Sequence, residues 1–198
     1  YTLPKGGDTV EKTAVQKLAG ALKVLVTITL VCNLVALLLV PGMSLMKGPE
    51  ELLALTPYEN PLEVPLRVGI AFVLSWGWVW TAGVYEVVLA LFLLFCGICT
   101  AVILWQGRRV LGTILTGAPF RAENGVSLRR AAVCCFLIAA AALARVVWGL
   151  FYYGSVAPLL TYNALFVPIF ILGGLLCLVM SALFRQAAEL KAENDLTI

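Results

Sequence analysis

The sequence predicts an all-α integral membrane protein: a four-transmembrane-helix bundle with a small extracytoplasmic β element between the first two spans. Three observations carry this reading. Of 198 residues, 62% are hydrophobic and only 13% charged, about half the ~25% charge of a soluble domain. Four stretches reach the ~20 mostly apolar residues that a membrane helix needs. Lys and Arg gather on alternate connections, as the membrane charge rule requires.

The spans fall at residues 22–40, 84–105, 131–150 and 164–184. Asp8 and Glu11 have the spacing of a capping box, so an amphipathic lead-in from Thr9 to Lys23 precedes the first span. Pro41-Gly42 is expected to end it. The first apolar run is too long for a signal-peptide core and lacks an A-x-A-like site. It is expected to remain as an anchor. The chain begins at Tyr1 without a Met, so upstream residues are expected.

The loop 41–83 contains an alternating stretch. Leu66, Val68, Ile70, Phe72, Leu74, Trp76, Trp78 and Trp80 share one parity, and mostly small or polar residues fill the other. A period of two is the strand signature. A lone strand cannot cross lipid, because its backbone groups would lack partners. The stretch is therefore expected to be an external β element. Its tryptophans suit the membrane interface.

Charge sets the orientation. Lys5, Lys12, Lys17, Lys23, Arg108, Arg109, Arg121, Arg129, Arg130, Arg185 and Lys191 fall on one side, against Lys47 and Arg67 on the other. Eleven against two places both termini (N-in and C-in), the loop 106–130 and the tail 185–198 in the cytoplasm. A five-span reading would break that asymmetry. The chain reads as one membrane domain over residues 1–198.

Ionisable groups inside a span are functional candidates by default. Glu86 and Arg145 fall at a similar outer-leaflet depth, so the two could pair. Such a pair either fixes helix register, with Tyr85 or Asn163, or forms a ligand or ion site. Asn33, near the middle of the first span, reads as an interhelical hydrogen bond. Gly173-Gly174 and Ser181 allow close helix approach in the last span.

Catalysis has little to work with. The chain has no histidine, which removes Ser-His, Cys-His and His-metal designs. No P-loop or dinucleotide glycine pattern has the required context. Six cysteines all lie in apolar segments, which excludes a disulfide-stapled external domain. Cys96-x-x-Cys99 lies inside a span and reads as packing rather than redox or metal chemistry. No cofactor and no metal are expected, and the protein is not expected to be an enzyme. No basic stripe interleaves with aromatics, so direct nucleic-acid binding is not expected.

Two cytoplasmic stretches stand out. In the central loop, Pro119 and Asn124-Gly125 are turn formers, Ser127 can cap the next helix, and apolar Phe120 must dock on something. The tail ends in Leu196-Thr197-Ile198, apolar and β-prone. Such an end can fill a partner's groove or fold under its own bundle. With Gly117, Pro119, Phe120, Glu123 and Asn124, the ending Ala188-Glu189-Leu190-x-x-Glu193-Asn194-Asp195-Leu196-Thr197-Ile198 resembles the bacterial domain of unknown function 2975 family.

The resemblance covers most of the chain. It implies a four-span protein of the bacterial cytoplasmic (inner) membrane with no established activity. It also implies a setting like that of small membrane partners of helix-turn-helix transcription regulators. The expected function is accordingly a non-enzymatic regulator or sensor. Phe120, Glu123, Asn124, Glu193, Asn194, Asp195, Leu196 and Ile198 would bind the cytosolic partner. The alternative is a small-molecule or lipid-handling transporter or immunity protein using Glu86, Arg145 and Asn163. The expected partners are the lipid bilayer, such a regulator, and a second copy in a homo-oligomer.

Overall fold

The computed structural model describes residues 14–45, 64–117 and 121–195, with backbone alone at 64–68 and 195. Five helices follow in order: α1 (Ala14–Leu45), α2 (Val64–Trp78), α3 (Val84–Leu115), α4 (Ala122–Tyr153) and α5 (Tyr162–Asp195). Short 3₁₀ turns at Val79–Thr81 and Ala157–Leu160 lead into α3 and α5. Four helices are long and apolar enough to span a membrane. At ~1.5 Å per residue each is roughly 50 Å long, so it runs past a ~30 Å hydrocarbon core at both ends.

The helices therefore extend beyond the spans expected from hydropathy. Pro41 does not stop α1, which continues to Leu45. Proline costs the helix one donor, to the Leu37 carbonyl, yet the last turn survives. There the Ser44 hydroxyl donates to the Pro41 carbonyl at 2.8 Å. Asn124-Gly125 form no turn, and Ser127 caps nothing. Both lie inside α4, which starts at Ala122 with Arg121 as its N-cap residue. The capping box at Asp8 and Glu11, Pro119, Phe120 and the ending 196–198 lie outside the described residues.

The expected β element is not there. Residues 64–78 form α2, and no strand occurs among the described residues. The alternation compared large with small side chains, not apolar with polar, so it did not fix a face. Burial instead recurs at Phe72, Ser75 and Val79, the spacing of one helix face. A helix also satisfies its own backbone, whereas a single strand at a membrane surface has no partner. At roughly 22 Å, α2 is too short to cross.

What α2 does is brace the end of α1. A Cβ on Gly42 would overlap the Phe72 ring, so the two helices meet there without an intervening side chain. Trp76 Nε1 donates to the Leu38 carbonyl at 3.1 Å. Val79, 1% exposed, then seals a small core with Val40 and Ala90.

The bundle is an open row. α1 packs on α2 and α3, α3 on α4, and α4 on α5; no other pair of helices makes extended contact among the described residues. α4 has neighbours on two sides, and 39% of its membrane window is buried, against 11% for α5. Most of its buried residues are small, among them Gly125, Ala131, Ala132, Ala139, Ala142 and Gly149, with Ile138 and Val146 the larger ones. Small residues let helix backbones approach, where lipid gives no hydrophobic drive to associate. On the facing helix, a Cβ at Gly174 would lie 2.9 Å from the Phe136 ring.

Candidate ligand-binding site

The end of the bundle that carries Tyr85 and Tyr153 holds a cavity. α4 stops at Gly154, whose φ of 58° lies in the left-handed region. Glycine enters that region without a Cβ clash. The chain turns through Ala157–Leu160 and folds back against α4 at Gly149, where a Cβ would lie 3.2 Å from the Pro158 ring. The fold-back encloses about 300 Å³ between α4, the start of α5 and Tyr85 of α3.

Arg145 is the charged group of this cavity. It is half-buried and sits about 12 Å inside the end of α4. Its Nη1 donates to Asn163 Oδ1 at a long 3.4 Å. Its guanidinium carbon stands 4.8 Å from the centre of the buried Phe92 ring, a cation–π contact that ties α4 to α3. Among the described residues no carboxylate pairs with it.

Aromatic rings form the opposite wall. Tyr85 stacks on Trp148 with ring centres 6.3 Å apart, and meets Tyr153 edge-on at 6.3 Å. Tyr152 stacks on Trp148 at 4.8 Å. Thr161 and Ser155 add hydroxyls at the rim. One unpaired cation, an amide and two hydroxyls beside aromatic faces suit an anionic head carrying an apolar body. The volume is at the small end of the ~300–1,000 Å³ range of small-molecule sites.

The candidate residues separate into groups. Arg145 and Asn163 come together. Glu86 does not join them: its carboxylate turns back over Gly83, at the first turn of α3. Free N–H groups and the helix dipole favour a negative charge there. Asn33 is at mid-helix in α1, and its buried Oδ1 has no hydrogen-bond partner among the described residues, so the interhelical bond expected of it is not seen there.

At the other end of the bundle, Glu123 is exposed, whereas Asn124 is 2% exposed and donates through Nδ2 to Thr113 Oγ1 at 2.7 Å. Asn124 is thus part of the α3–α4 seam rather than a free recognition group. Glu193 and Asn194 are exposed, on α5 about 12 Å further along than Arg185. Phe120, Leu196 and Ile198 lie outside the described residues, as does the side chain of Asp195.

Sequence reasoning missed the aromatic wall and the buried Gln106, whose Oε1 has no partner among the described residues. A signal for the wall existed. Trp148 and Tyr152 are four residues apart on one helix, spacing that puts them on one face.

Four helices long and apolar enough to span make the chain a multi-pass membrane protein of helical-bundle type. The family model described as "Protein of unknown function (DUF2975)" matches residues 56–198, and the chain belongs to that family. The match takes in α2 to α5 and leaves α1 outside. No curated protein and no solved structure matches the chain.

Proposed function

We propose that the protein is a non-enzymatic membrane sensor whose cavity at Arg145 takes a small anionic amphiphile. The carrying observation is a half-buried guanidinium that faces about 300 Å³ of space and has no carboxylate partner among the described residues. An ionisable group inside a membrane protein is costly and is retained where it has work. A carboxylate or phosphate would complete its pairing, and the Tyr85–Trp148 wall would cover the apolar part.

In this reading the basic end, with Arg108, Arg109, Arg129, Arg130 and Arg185, faces the cytoplasm of a bacterial inner membrane. α5 joins the two ends: Asn163 is beside Arg145, and Glu193 projects at the far end. A ligand drawn between Arg145 and Asn163 would bear on α5 as a unit. The tail would then hold a cytosolic partner, and the family's resemblance favours a small helix-turn-helix regulator. A ligand shifts such a device only through unequal affinity for its two states.

The test uses the full chain in phosphatidylcholine nanodiscs, reading tryptophan fluorescence as decanoate is added. Saturable quenching is expected, absent for neutral decanol and absent from a Trp148→Phe variant. Arg145→Gln should abolish it. If decanoate and decyl phosphate quench wild type and Arg145→Gln alike, the cavity is packing space and the sensor reading is lost.

A further inference from the structure

At the end of the bundle opposite Arg145, a second cavity of about 250 Å³ opens between α3 and α4. Arg109 and Thr113 of α3 line one wall, on a single face of that helix. Arg121, Glu123, Asn124 and Ser127 line the other. Neither arginine has an ion-pair partner among the described residues. Glu123 leaves the lining with a net positive charge, and Lys23 of α1 comes alongside: its Nζ would be 3.6 Å from a Cβ on Gly112, which is itself in the wall.

Two further features belong to the same notch. Arg121 is the N-cap residue of α4, in extended conformation, and its side chain makes no capping bond. The Asn124 N–H donates to the Arg121 carbonyl at 3.0 Å, which leaves the Ala122 and Glu123 N–H groups of the first turn of α4 without a bond among the described residues. Ser127 is only 5% exposed, yet its hydroxyl makes no hydrogen bond among the described residues. Its oxygen is not sealed in protein, so a polar group entering the cavity can reach it.

We propose that this notch is a binding site for a phosphate group. Arginine forks match phosphate oxygens with paired hydrogen bonds, and a helix N-terminus favours the same charge. The Ser127 hydroxyl donates to the oxygen that enters deepest. The phosphate belongs either to an anionic phospholipid head or to a soluble phosphorylated compound. Basic pockets between membrane helices hold lipid phosphates in this manner. The site is separate from the Arg145 cavity and does not depend on the sensor reading.

The full chain in neutral detergent would be heated with millimolar inorganic phosphate, or with phosphatidylglycerol in mixed micelles. A saturable rise in unfolding temperature beyond that from chloride at equal ionic strength is expected with one probe or both. Salt exclusion would not saturate and would not depend on any arginine. A response to phosphatidylglycerol alone identifies the lipid as the source; a response to inorganic phosphate identifies the soluble compound. The pair Arg109→Gln and Arg121→Gln should weaken the apparent affinity at least about tenfold. Arg129→Gln with Arg130→Gln removes equal charge outside the notch and should leave it within about twofold. Ser127→Ala loses no existing bond, so it should fold as wild type and bind several-fold more weakly. The proposal is overturned if neither probe exceeds chloride. It is equally overturned if Ser127→Ala binds as wild type, or if the Arg129 and Arg130 changes weaken binding as much as the notch changes.

Discussion

The Ser181 hydroxyl donates to the backbone carbonyl of Gly125 at 2.7 Å, fastening α5 to the second turn of α4. The bond is buried, and the absence of a side chain at Gly125 makes it reachable. A Cβ there would lie 3.1 Å from the Ser181 carbonyl oxygen and 2.8 Å from the Arg185 stem. Interhelical bonds of this kind contribute about 0.6 kcal/mol on average and up to ~1.7. Ser181→Ala should therefore cost about 1 kcal/mol in denaturant unfolding from mixed micelles. Gly125→Val should cost more, about 2–3 kcal/mol, since it adds overpacking to the lost bond. Equal midpoints for wild type and Ser181→Ala would mean the seam is held by packing alone.

Arg145 and Glu86 should behave as independent residues. The first contacts Asn163 and Phe92; the second lies over Gly83. A double-mutant cycle with Arg145→Gln and Glu86→Gln should give a coupling energy below about 0.5 kcal/mol. The parallel cycle of Arg145→Gln with Asn163→Ala should exceed that value. A large term in the first cycle and a small one in the second would restore the ion pair that hydropathy and depth suggest.

That contrast marks how far the sequence could be read. The four spans were legible because lipid allows few solutions: about twenty apolar residues, helical, with basic flanks. Asn163 was legible only as a companion to an Arg145–Glu86 pair. The position of Glu86 was not, since depth does not say whether a carboxylate turns sideways to a neighbour or back to its own helix start. The segment 66–80 misled for a different reason. When nearly every residue is apolar, a period of two in size has no solvent-facing side to enforce it. The notch at Arg109 and Arg121 was hidden because Asn124-Gly125 reads as a turn in isolation. Tertiary contacts, Gly125 with Ser181 and Asn124 with Thr113, hold the segment in α4.

α2 should depend on a single close approach. The Phe72 ring rests directly on Gly42, and Trp76 reaches the Leu38 carbonyl just above it. Gly42→Leu should displace α2, costing about 1–3 kcal/mol through overpacking. Tryptophan emission should shift to the red, because Trp76, Trp78 and Trp80 would lose a common support. Trp76→Phe keeps the ring and loses one hydrogen bond, so about 1 kcal/mol is expected. If Gly42→Leu leaves emission and stability unchanged, α2 is held by lipid and not by α1.

The orientation can be decided with one thiol at each end. Ala122 begins α4 at the basic end, and Ser155 follows Gly154 at the aromatic end. All six native cysteines lie within the long helices, so an impermeant reagent has poor access to them. In intact cells Ser155→Cys should label and Ala122→Cys should not, while both should label after lysis. The reason is electrostatic. Arg108, Arg109, Arg121, Arg129 and Arg130 flank the α3–α4 connection, and basic flanks are retained on the cytoplasmic side. Labelling of Ala122→Cys before lysis would invert the molecule. The Arg145 cavity would then face the cytoplasm, and the notch at Arg109 and Arg121 would meet phosphates on the outer surface only.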